Sequence, residues 1–202
     1  MIDDYMYIAN TYFNHPNYFR IDDRPVVYVY VGGGYQGNYE TAFQTLRQAL
    51  QNLGHDIYLV GDEMGWSAPT DHVNIWDAVT AYNFLGVQDY GIDSDFFGAL
   101  SMSFDQWEKY AGDNDLEFIP LAVPGFNNRK SGQTSTSNSI IIPRQSTAGA
   151  NNQSYFEEYI RLARTFVDSD LKLLMITSWN EWHEDTQIEP INDAASTNSD
   201  NS

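Results

Sequence analysis

Short apolar segments alternate along this chain with segments of helical periodicity, and this alternation constrains the fold more than any other feature. The first pair is "RPVVYVYV" (Arg24 to Val31), which ends in three glycines, and a helical pattern from Tyr39 to Leu53 with Gly54 as its C-terminal cap. Five strands that alternate with helices predict a parallel sheet of βα units. The other four predicted strands are Asp56 to Gly61, Ile75 to Asn83, Glu117 to Gly125 and "LKLLMITS" (Leu171 to Ser178).

Two further helices are predicted from capping boxes, in which a serine and a residue three positions later bond each other's backbone N–H groups. One box pairs Ser103 with Gln106, and the other pairs Ser154 with Glu157. Residues 127–151 are rich in Ser, Thr, Asn and Gly, so we predict a long loop interrupted only by "SIIIP". Residues 191–202 are predicted to be a disordered polar tail.

A parallel sheet of this kind is either open or closed into a barrel, and the two look alike in sequence. In both, ligand sites lie at the carboxyl ends of the strands. The glycines of "GGGYQG" (32–37) lack the partner acid or lysine of a nucleotide-binding motif, so they predict a tight turn. The residues at predicted strand ends are Gly32, Gly61, Tyr82, Asn83, Pro124, Arg129 and the cluster Trp179 to Glu184.

The composition favours a globular domain whose partner is neutral or cationic. The 202 residues are 42% hydrophobic, which is enough for a sizeable core. With 28 acidic and 10 basic residues, the net charge of -18 opposes binding to nucleic acid or anionic lipid. No apolar run approaches the roughly 18 residues of a membrane span. The start "MIDDYMYIAN" also has acids where a secretory signal would have bases, so we expect no membrane segment and no visible targeting signal.

The cluster from Trp179 to Glu184 carries the chemistry that a buried strand would not use. Two glutamates three positions apart are the minimum equipment for breaking a glycosidic bond, because one assists attack at the anomeric carbon and the other protonates the leaving oxygen. The neighbouring tryptophans offer flat apolar faces for sugar C–H groups, and Asn180 and His183 offer hydrogen bonds. The spacing alone leaves open that the aromatic residues are core and the glutamates are a solvated loop.

The stretch "ITSWNEWHEDTQIEP" (Ile176 to Pro190) resembles the signature of glycoside hydrolase family 99, the endo-α-mannosidases and endo-α-mannanases. The segments "TYFNHPNYFRIDDRPVVYVY", "YLVGD", "WDAVTAYN" and "IPLAVPGFNNR" are similar to that family's middle strands, in the same order. This resemblance implies an α/β fold of the (β/α)8 TIM-barrel class. Residues 1–190 would be a partial barrel domain that covers roughly the last five βα units, because the first three have no counterpart here.

The resemblance further implies a retaining, endo-acting enzyme for α-mannosidic linkages in mannan or N-glycan-type chains, without a cofactor. Glu181 matches the family's base and Glu184 its acid and base. In an α-mannoside the 2-hydroxyl is anti to the leaving group, so a base at Glu181 turns O2 into an internal nucleophile and gives a 1,2-anhydro sugar. Family members are often secreted, periplasmic or resident in the Golgi, and the chain itself predicts no compartment.

Seven residues are predicted to bind the sugar and none to bind a metal. Arg129 matches a family position on the active-site face, and Tyr82 and Asn83 end a predicted strand. The histidines lack partners at metal-ligand spacing, and Asp113-Asn114-Asp115 lacks the glycine and distal glutamate of a calcium loop. The predicted substrate-binding residues are Trp179, Asn180, Trp182, His183, Tyr82, Asn83 and Arg129.

Two alternatives and one departure accompany this hypothesis. A related group of polysaccharide-biosynthesis proteins carries "W-N-E-W-A-E-G-T-x-L-E-P" and is regarded as glycosyltransferase-like, whereas His183 and Gln187 favour the hydrolase. The second alternative is that the chain is an inactive, truncated sugar-binding remnant. Asp185 stands where the family usually has glycine, which predicts a change in the loop after Glu184.

Overall fold

The fold is organised around parallel strands, seen in a computed structural model that describes residues 1–30, 32, 35–64, 73–83, 96–127, 141–142 and 154–190. A two-residue antiparallel partner covers the outer edge of the first long strand. Four strands then follow in parallel order, and the strand after them pairs with the last strand of the chain. The strands are β1 (Arg20–Ile21), β2 (Arg24–Val29), β3 (Tyr58–Met64), β4 (Ala78–Ala81), β5 (Glu117–Phe118), β6 (Leu121–Ala122), β7 (Phe126–Asn127), β8 (Ile141–Ile142) and β9 (Met175–Ile176).

The predicted strand from Glu117 to Gly125 is divided into β5 and β6, and this division bends the sheet. Pro120 has no backbone N–H and interrupts the ladder. On one side of the break, Ile119 N–H donates to the Val79 carbonyl at 2.9 Å. On the other side, Met175 N–H donates to the Pro120 carbonyl at 3.0 Å. The same segment therefore pairs first with β4 and then with β9, which gives five consecutive parallel strands curling as part of a barrel.

The other strand predictions are correct in position and too long or too short at their ends. β2 stops at Val29, two residues before the predicted end, and β4 begins at Ala78 because a 3₁₀ turn occupies Val73–Ile75. β3 extends beyond Gly61 to Met64, whereas only Met175–Ile176 of the last predicted strand is paired. Within the predicted long loop, β7 and β8 form an antiparallel pair, and β8 falls inside "SIIIP". The rest of that loop and residues 191–202 lie outside the described residues.

Within the described residues, four α-helices accompany the strands. Asn38 caps α2, since its Oδ1 accepts from Thr41 N–H at 3.2 Å. The Ser154 capping box is present at the start of α4, so that prediction is confirmed. α1 continues into a π-helical turn at Ala9–Phe13, and sequence analysis predicted neither, because α1 has no buried residues. The helices are α1 (Ile2–Ile8), α2 (Tyr39–Asn52), α3 (Phe96–Asp113) and α4 (Tyr155–Ala163).

The predicted start of the third helix at Ser103 is wrong. α3 begins at Phe96, so Ser103 and Gln106 lie inside it. The rings of Phe96 and Phe97 lie 6.1 and 6.3 Å from the ring of Tyr159 on α4, in edge-on contacts. Tertiary packing thus extends the helix over a segment where local capping signals point to a later start. No helix of the described part of the chain is long and apolar enough to cross a membrane.

Both faces of the sheet are apolar, as expected of a parallel sheet covered on both sides. Val27 and Val29 on β2 point into the main core with the helices, which includes Phe43, Leu46 and Phe104. The alternate residues, Val26 and Tyr28, pack on the opposite, inner face. There they meet a smaller buried cluster made of Tyr58, Val60, Ala78 and Ile119.

An ion network ties α2 to the amino ends of the strands. Asp77 accepts from Arg24 Nη2 at 2.8 Å and from Arg47 Nη2 at 2.6 Å. Its Oδ2 also accepts from the Leu59 N–H at 2.7 Å. Because these three side chains are only 20–29% exposed and pair with one another, breaking the network at one residue would leave a partly buried charge without its partner.

Candidate active site

The loop that follows β9 closes on itself through Ser178. Its N–H donates to the Thr186 carbonyl, and its carbonyl accepts from Ile188 N–H, both at 2.9 Å. The Ser178 Oγ accepts from Glu181 N–H at 2.9 Å and lies 2.8 Å from Thr186 Oγ1. These bonds tie the two ends of the loop together and fix where residues 179–184 stand at the carboxyl end of the sheet.

Asp185 occupies the turn at the far side of this loop with φ +57°. This left-handed conformation favours glycine, and aspartate is among the few other residues that adopt it at modest cost. The Asp185 Oδ1 also accepts from Gln187 Nε2 at 3.4 Å. The turn thus has the conformation in which a glycine is expected, with aspartate in its place.

Glu181 and Glu184 stand in different surroundings. Burial raises the pKa of Glu184 above its usual range, and the neighbouring Glu181 raises it further. The Oε2 atom of Glu184 is buried without a hydrogen-bond partner among the described residues. The Glu181 side chain is 39% exposed, and its Oε1 accepts from His183 N–H at 3.1 Å. One carboxyl therefore favours the protonated state more than an ordinary glutamate, and the other faces solvent beside it.

Two tyrosines from other strand ends face the glutamates. The rings of Tyr30, which follows β2, and Tyr82, which follows β4, meet edge-on at 5.1 Å. Burial raises the pKa of Tyr82, and Glu184 and Glu181 add to this, while a hydrogen bond to the Ser178 side chain opposes it. Burial, Asp62 and both glutamates likewise raise the pKa of Tyr30. The structure thus brings Tyr82 to the predicted site and adds Tyr30, which sequence analysis missed.

Two buried acids at the end of β3 were also missed. Asp62 and Glu63 are each 1% exposed. The Asp62 Oδ1 accepts from Tyr82 N–H at 2.9 Å, and the Glu63 Oε1 accepts from Trp76 Nε1 at 2.9 Å. Trp76 packs so closely on Gly61 that a Cβ there would lie 2.5 Å from its ring. Acids directly after an apolar strand were the available signal, since they fall at the ligand-binding end of a parallel sheet.

The remaining predicted residues that the structure describes differ in their exposure to solvent. Trp179 is 59% and Trp182 53% exposed, so their faces are open to a ligand. Asn180 and His183 are exposed, and His183 Nδ1 lies 3.5 Å from Glu181 Oε1. Asn83 is only 2% exposed, and its amide atoms have no hydrogen-bond partner among the described residues. Arg129 lies outside the residues that the structure describes.

Within the described residues, no group of three or more His, Asp or Glu side chains is arranged so that it could hold a metal ion. Around Glu181 and Glu184 the polar groups are carboxylates, hydroxyls, amides and an imidazole. This set suits proton transfer and hydrogen bonds to the hydroxyl groups of a sugar.

Comparison with known proteins places this arrangement in a family. The family model described as "Glycosyltransferase WbsX" matches residues 2–198. The chain is 26% identical over 191 residues to the "Glycoprotein endo-alpha-1,2-mannosidase" of Rattus norvegicus, covering 91% of this chain and 37% of that protein. It is 27% identical over 196 residues to a "Glycoprotein endo-alpha-1,2-mannosidase-like protein" of Danio rerio, covering 93% and 40%. The chain spans less than half the length of these curated relatives.

Solved structures show the same fold. A "Glycoside hydrolase-like protein" superposes with a TM-score of 0.71 at 24% identity, covering 95% of this chain and 54% of that one. The GH99 endo-alpha-mannosidase from Bacteroides thetaiotaomicron superposes with a TM-score of 0.65 at 22% identity, covering 95% and 53%. The predicted class, a partial (β/α)8 barrel, is confirmed by these neighbours. The resemblance to the endo-α-mannosidases of glycoside hydrolase family 99 is thus confirmed, and the chain belongs to the family described as Glycosyltransferase WbsX.

Proposed function

We propose that this chain carries the catalytic glutamates of a retaining, endo-acting glycoside hydrolase that cleaves α-mannosidic linkages in mannan or N-glycan-type chains. The observation that carries the proposal is the pair Glu181 and Glu184 at a barrel strand end, with the pKa of Glu184 raised by its burial and by Glu181. A carboxyl that keeps its proton nearer to neutrality is suited to protonate a leaving group.

The substrate class follows from the relatives and agrees with the site. Two of the proteins named above, from Rattus norvegicus and Bacteroides thetaiotaomicron, are described as endo-α-mannosidases, which suggests a mannose-containing glycan. The exposed rings of Trp179 and Trp182 offer apolar faces for sugar C–H groups. An endo-acting enzyme must hold sugars on both sides of the cleaved bond, and two exposed tryptophans can each contact a sugar.

The proposed reaction proceeds in two steps without an external nucleophile. In the first step Glu181 takes the proton of the sugar's 2-hydroxyl while O2 attacks C1, and Glu184 gives its proton to the departing glycosidic oxygen. In the second step Glu184 deprotonates a water that attacks C1 and opens the 1,2-anhydro ring, and O2 recovers its proton from Glu181. Two inversions at C1 give net retention. The hydrogen bond from His183 N–H to Glu181 Oε1 holds the base in place for both steps.

Product analysis tests the proposal. The chain, and the longer product if its reading frame extends upstream of Met1, is incubated with an α-1,2-linked mannan oligosaccharide, and the anomeric configuration of the first product is followed by NMR. We expect internal cleavage with an α-configured product, and no cleavage when the reacting sugar carries fluorine in place of the 2-hydroxyl. Turnover of the 2-fluoro substrate would exclude the anhydro route, and a β-configured product would exclude retention.

A second candidate function is favoured by the description of the matching family model, "Glycosyltransferase WbsX". A glycosyltransferase forms the glycosidic bond from an activated donor, whereas the hydrolase needs only water. The same preparation is therefore supplied with nucleotide-activated mannose and an α-mannoside acceptor. Elongation of the acceptor that depends on the donor supports the transferase, and cleavage without any donor supports the hydrolase.

A further inference from the structure

A polar cavity lies at the end of the sheet opposite to Glu181 and Glu184. Its volume is about 520 Å³. Arg24, Tyr58 and Glu117, the first residues of β2, β3 and β5, line it, whereas the candidate active site lies beyond the last residues of β2, β4 and β9. We call it the amino-end cavity. Since the strands are parallel, the two sites are separated by the length of the sheet.

Carboxylates outnumber cations in the lining of the amino-end cavity. It contains two arginines and six acids, and both arginines already have partners within the protein. Arg20 donates to the backbone carbonyls of Asp23 and Phe13, and Arg24 donates to Asp77 and the Ile57 carbonyl. Apart from Asp77, no acid of the lining forms an ion pair within the described part of the chain. The six acids are Asp22, Asp77, Asp115, Glu117, Asp168 and Asp170.

The pKa of Glu117 reflects the repulsion among these acids. Burial raises its pKa, and the neighbouring Asp168, Asp170 and Asp22 raise it further. These carboxylates come from three separate parts of the chain, the β1–β2 turn, β5 and the segment before β9. The fold thus gathers like charges that a bound cation would relieve.

Tyr58 gives an independent sign that a ligand binds here. It lines the cavity and is only 4% exposed, yet its buried hydroxyl has no hydrogen-bond partner among the residues that the structure describes. Burial raises the pKa of the Tyr58 hydroxyl, and Glu117, Asp77 and Asp22 raise it further. Arg24, whose guanidinium lies 5.2 Å from the centre of the Tyr58 ring, opposes them, so the hydroxyl lies among the same carboxylates with one arginine beside it. A buried hydroxyl without a partner is unfavourable, so such groups are rare unless something binds them.

We propose that the amino-end cavity binds a small organic polycation, with two or more ammonium groups joined by alkyl chains. The ammonium groups would donate to Glu117, Asp170 and Asp22, and one of them would reach the Tyr58 hydroxyl. The alkyl segments would lie against the apolar side chains of the lining, Phe19, Ile21 and Leu171. A bare divalent metal fits less well, since no three acids of the described ranges are arranged to chelate one.

Isothermal titration calorimetry with spermidine tests this proposal on the 202-residue chain. We expect one spermidine per chain, with affinity that falls as salt is added. The double variant Glu117→Gln/Asp170→Asn removes two exposed carboxylates and should weaken binding by roughly 10-fold or more, the range for losing charge-assisted hydrogen bonds. Tyr58→Phe, which removes only the hydroxyl, should weaken binding several-fold, with thermal melting as a check that it folds.

The matched control removes the same two charges from the surface of α3. Asp105 and Glu108 are exposed there and do not line the cavity. The variant Asp105→Asn/Glu108→Gln should bind spermidine as the unaltered chain does. Equal weakening of both double variants would mean diffuse attraction to the net charge of -18 and would overturn the proposal. Mg²⁺ that displaces spermidine at equal concentration would also overturn it, because the site would then select charge density rather than an organic cation.

Discussion

Glu184 and Glu181 differ in hydration although only two residues separate them. Burial and the proximity of Glu181 disfavour the charged form of Glu184, whereas Glu181 is partly exposed and held by His183 N–H. Pairs of carboxyl groups whose surroundings push their proton affinities apart are typical of acid and base partners. Two predictions at the scale of single residues follow from this difference.

The first prediction separates the roles of the two glutamates by means of the leaving group. An α-mannobiosyl fluoride needs little protonation, so Glu184→Gln should keep much of its rate on the fluoride while losing most of it on a natural glycan. General acid assistance is typically worth ~10²- to 10⁴-fold, which makes the contrast measurable in initial rates. Glu181→Gln should lose most of its initial rate on both substrates, because O2 must lose its proton in either case. Equal losses for both variants on both substrates would refute the assignment of roles.

The second prediction concerns stability against pH. The folded-state pKa of Glu184 is raised, so the folded chain binds this proton more tightly than the unfolded chain. Relative to low pH, stability is therefore lost as pH rises from the ordinary glutamate value of 4.5 through the folded pKa. Glu184→Gln, which cannot ionise, should melt at a higher temperature than the unaltered chain at pH 7, and the gain should vanish near pH 4. A gain that is the same at both pH values would contradict this linkage.

At the scale of elements, tertiary contacts decide which local signals are used. Ser154 and Ser103 both open a capping-box pattern, yet only Ser154 stands at a helix start. The Ser154 Oγ accepts from Glu157 N–H at 3.2 Å, and its own N–H donates to Glu157 Oε2 at 3.0 Å. Ser103 lies in the second turn of a helix that starts at Phe96, where its backbone N–H has a partner within the helix.

The two serines therefore make a matched pair for a third prediction. Ser154→Ala should destabilise the chain by ~1 kcal/mol, since it removes a cap. Ser103→Ala should be neutral or stabilise by up to ~0.5 kcal/mol, because alanine has the higher helix propensity. Urea unfolding followed by circular dichroism measures both. A larger loss for Ser103→Ala than for Ser154→Ala would mean that α3 begins at Ser103.

At the scale of the whole molecule, charge is the dominant electrostatic feature. The net charge of -18 is carried by 28 acidic and 10 basic residues, and the resulting self-repulsion opposes the compact state. Added salt shortens the screening length and reduces this repulsion. We expect the melting temperature to rise between low and molar sodium chloride, and an unchanged value would refute the prediction. The Arg24–Asp77–Arg47 network works in the opposite direction, but it is a single, partly buried cluster.

The extent of the sheet leads to the last prediction. The described residues contain five parallel strands, whereas a closed barrel of this class has eight, and the two paired residues of β9 end the described sheet. An open strand edge exposes N–H and C=O groups that pair readily with another chain. We expect the isolated 202-residue chain to associate as its concentration rises, measured by light scattering after gel filtration. A monodisperse monomer that melts cooperatively would contradict this expectation.

Local patterns were sufficient for much of the fold and for part of the site. The order of βα units, the helix from Tyr39 and the Ser154 cap were predicted correctly, because periodicity and capping depend on residues close in sequence. Glu181, Trp179 and Trp182 were assigned to a strand end, and the structure places them there, since a polar cluster after an apolar run has few other places to go. The roles of these residues in substrate binding and catalysis stay predictions.

The tertiary structure alone decided which distant residues meet. Tyr30 and Asp62 come near Tyr82 because β2, β3 and β4 are neighbours in one parallel sheet, and no local pattern in the sequence records that pairing. The start of α3 and the break at Pro120 likewise depend on partners far along the chain. The sequence by itself determined which segments become strands and helices and which of them carries the glutamates. Only the fold decided that Glu184 is the carboxyl whose pKa is raised by burial, because burial depends on the neighbours that the fold assembles and not on the segment itself.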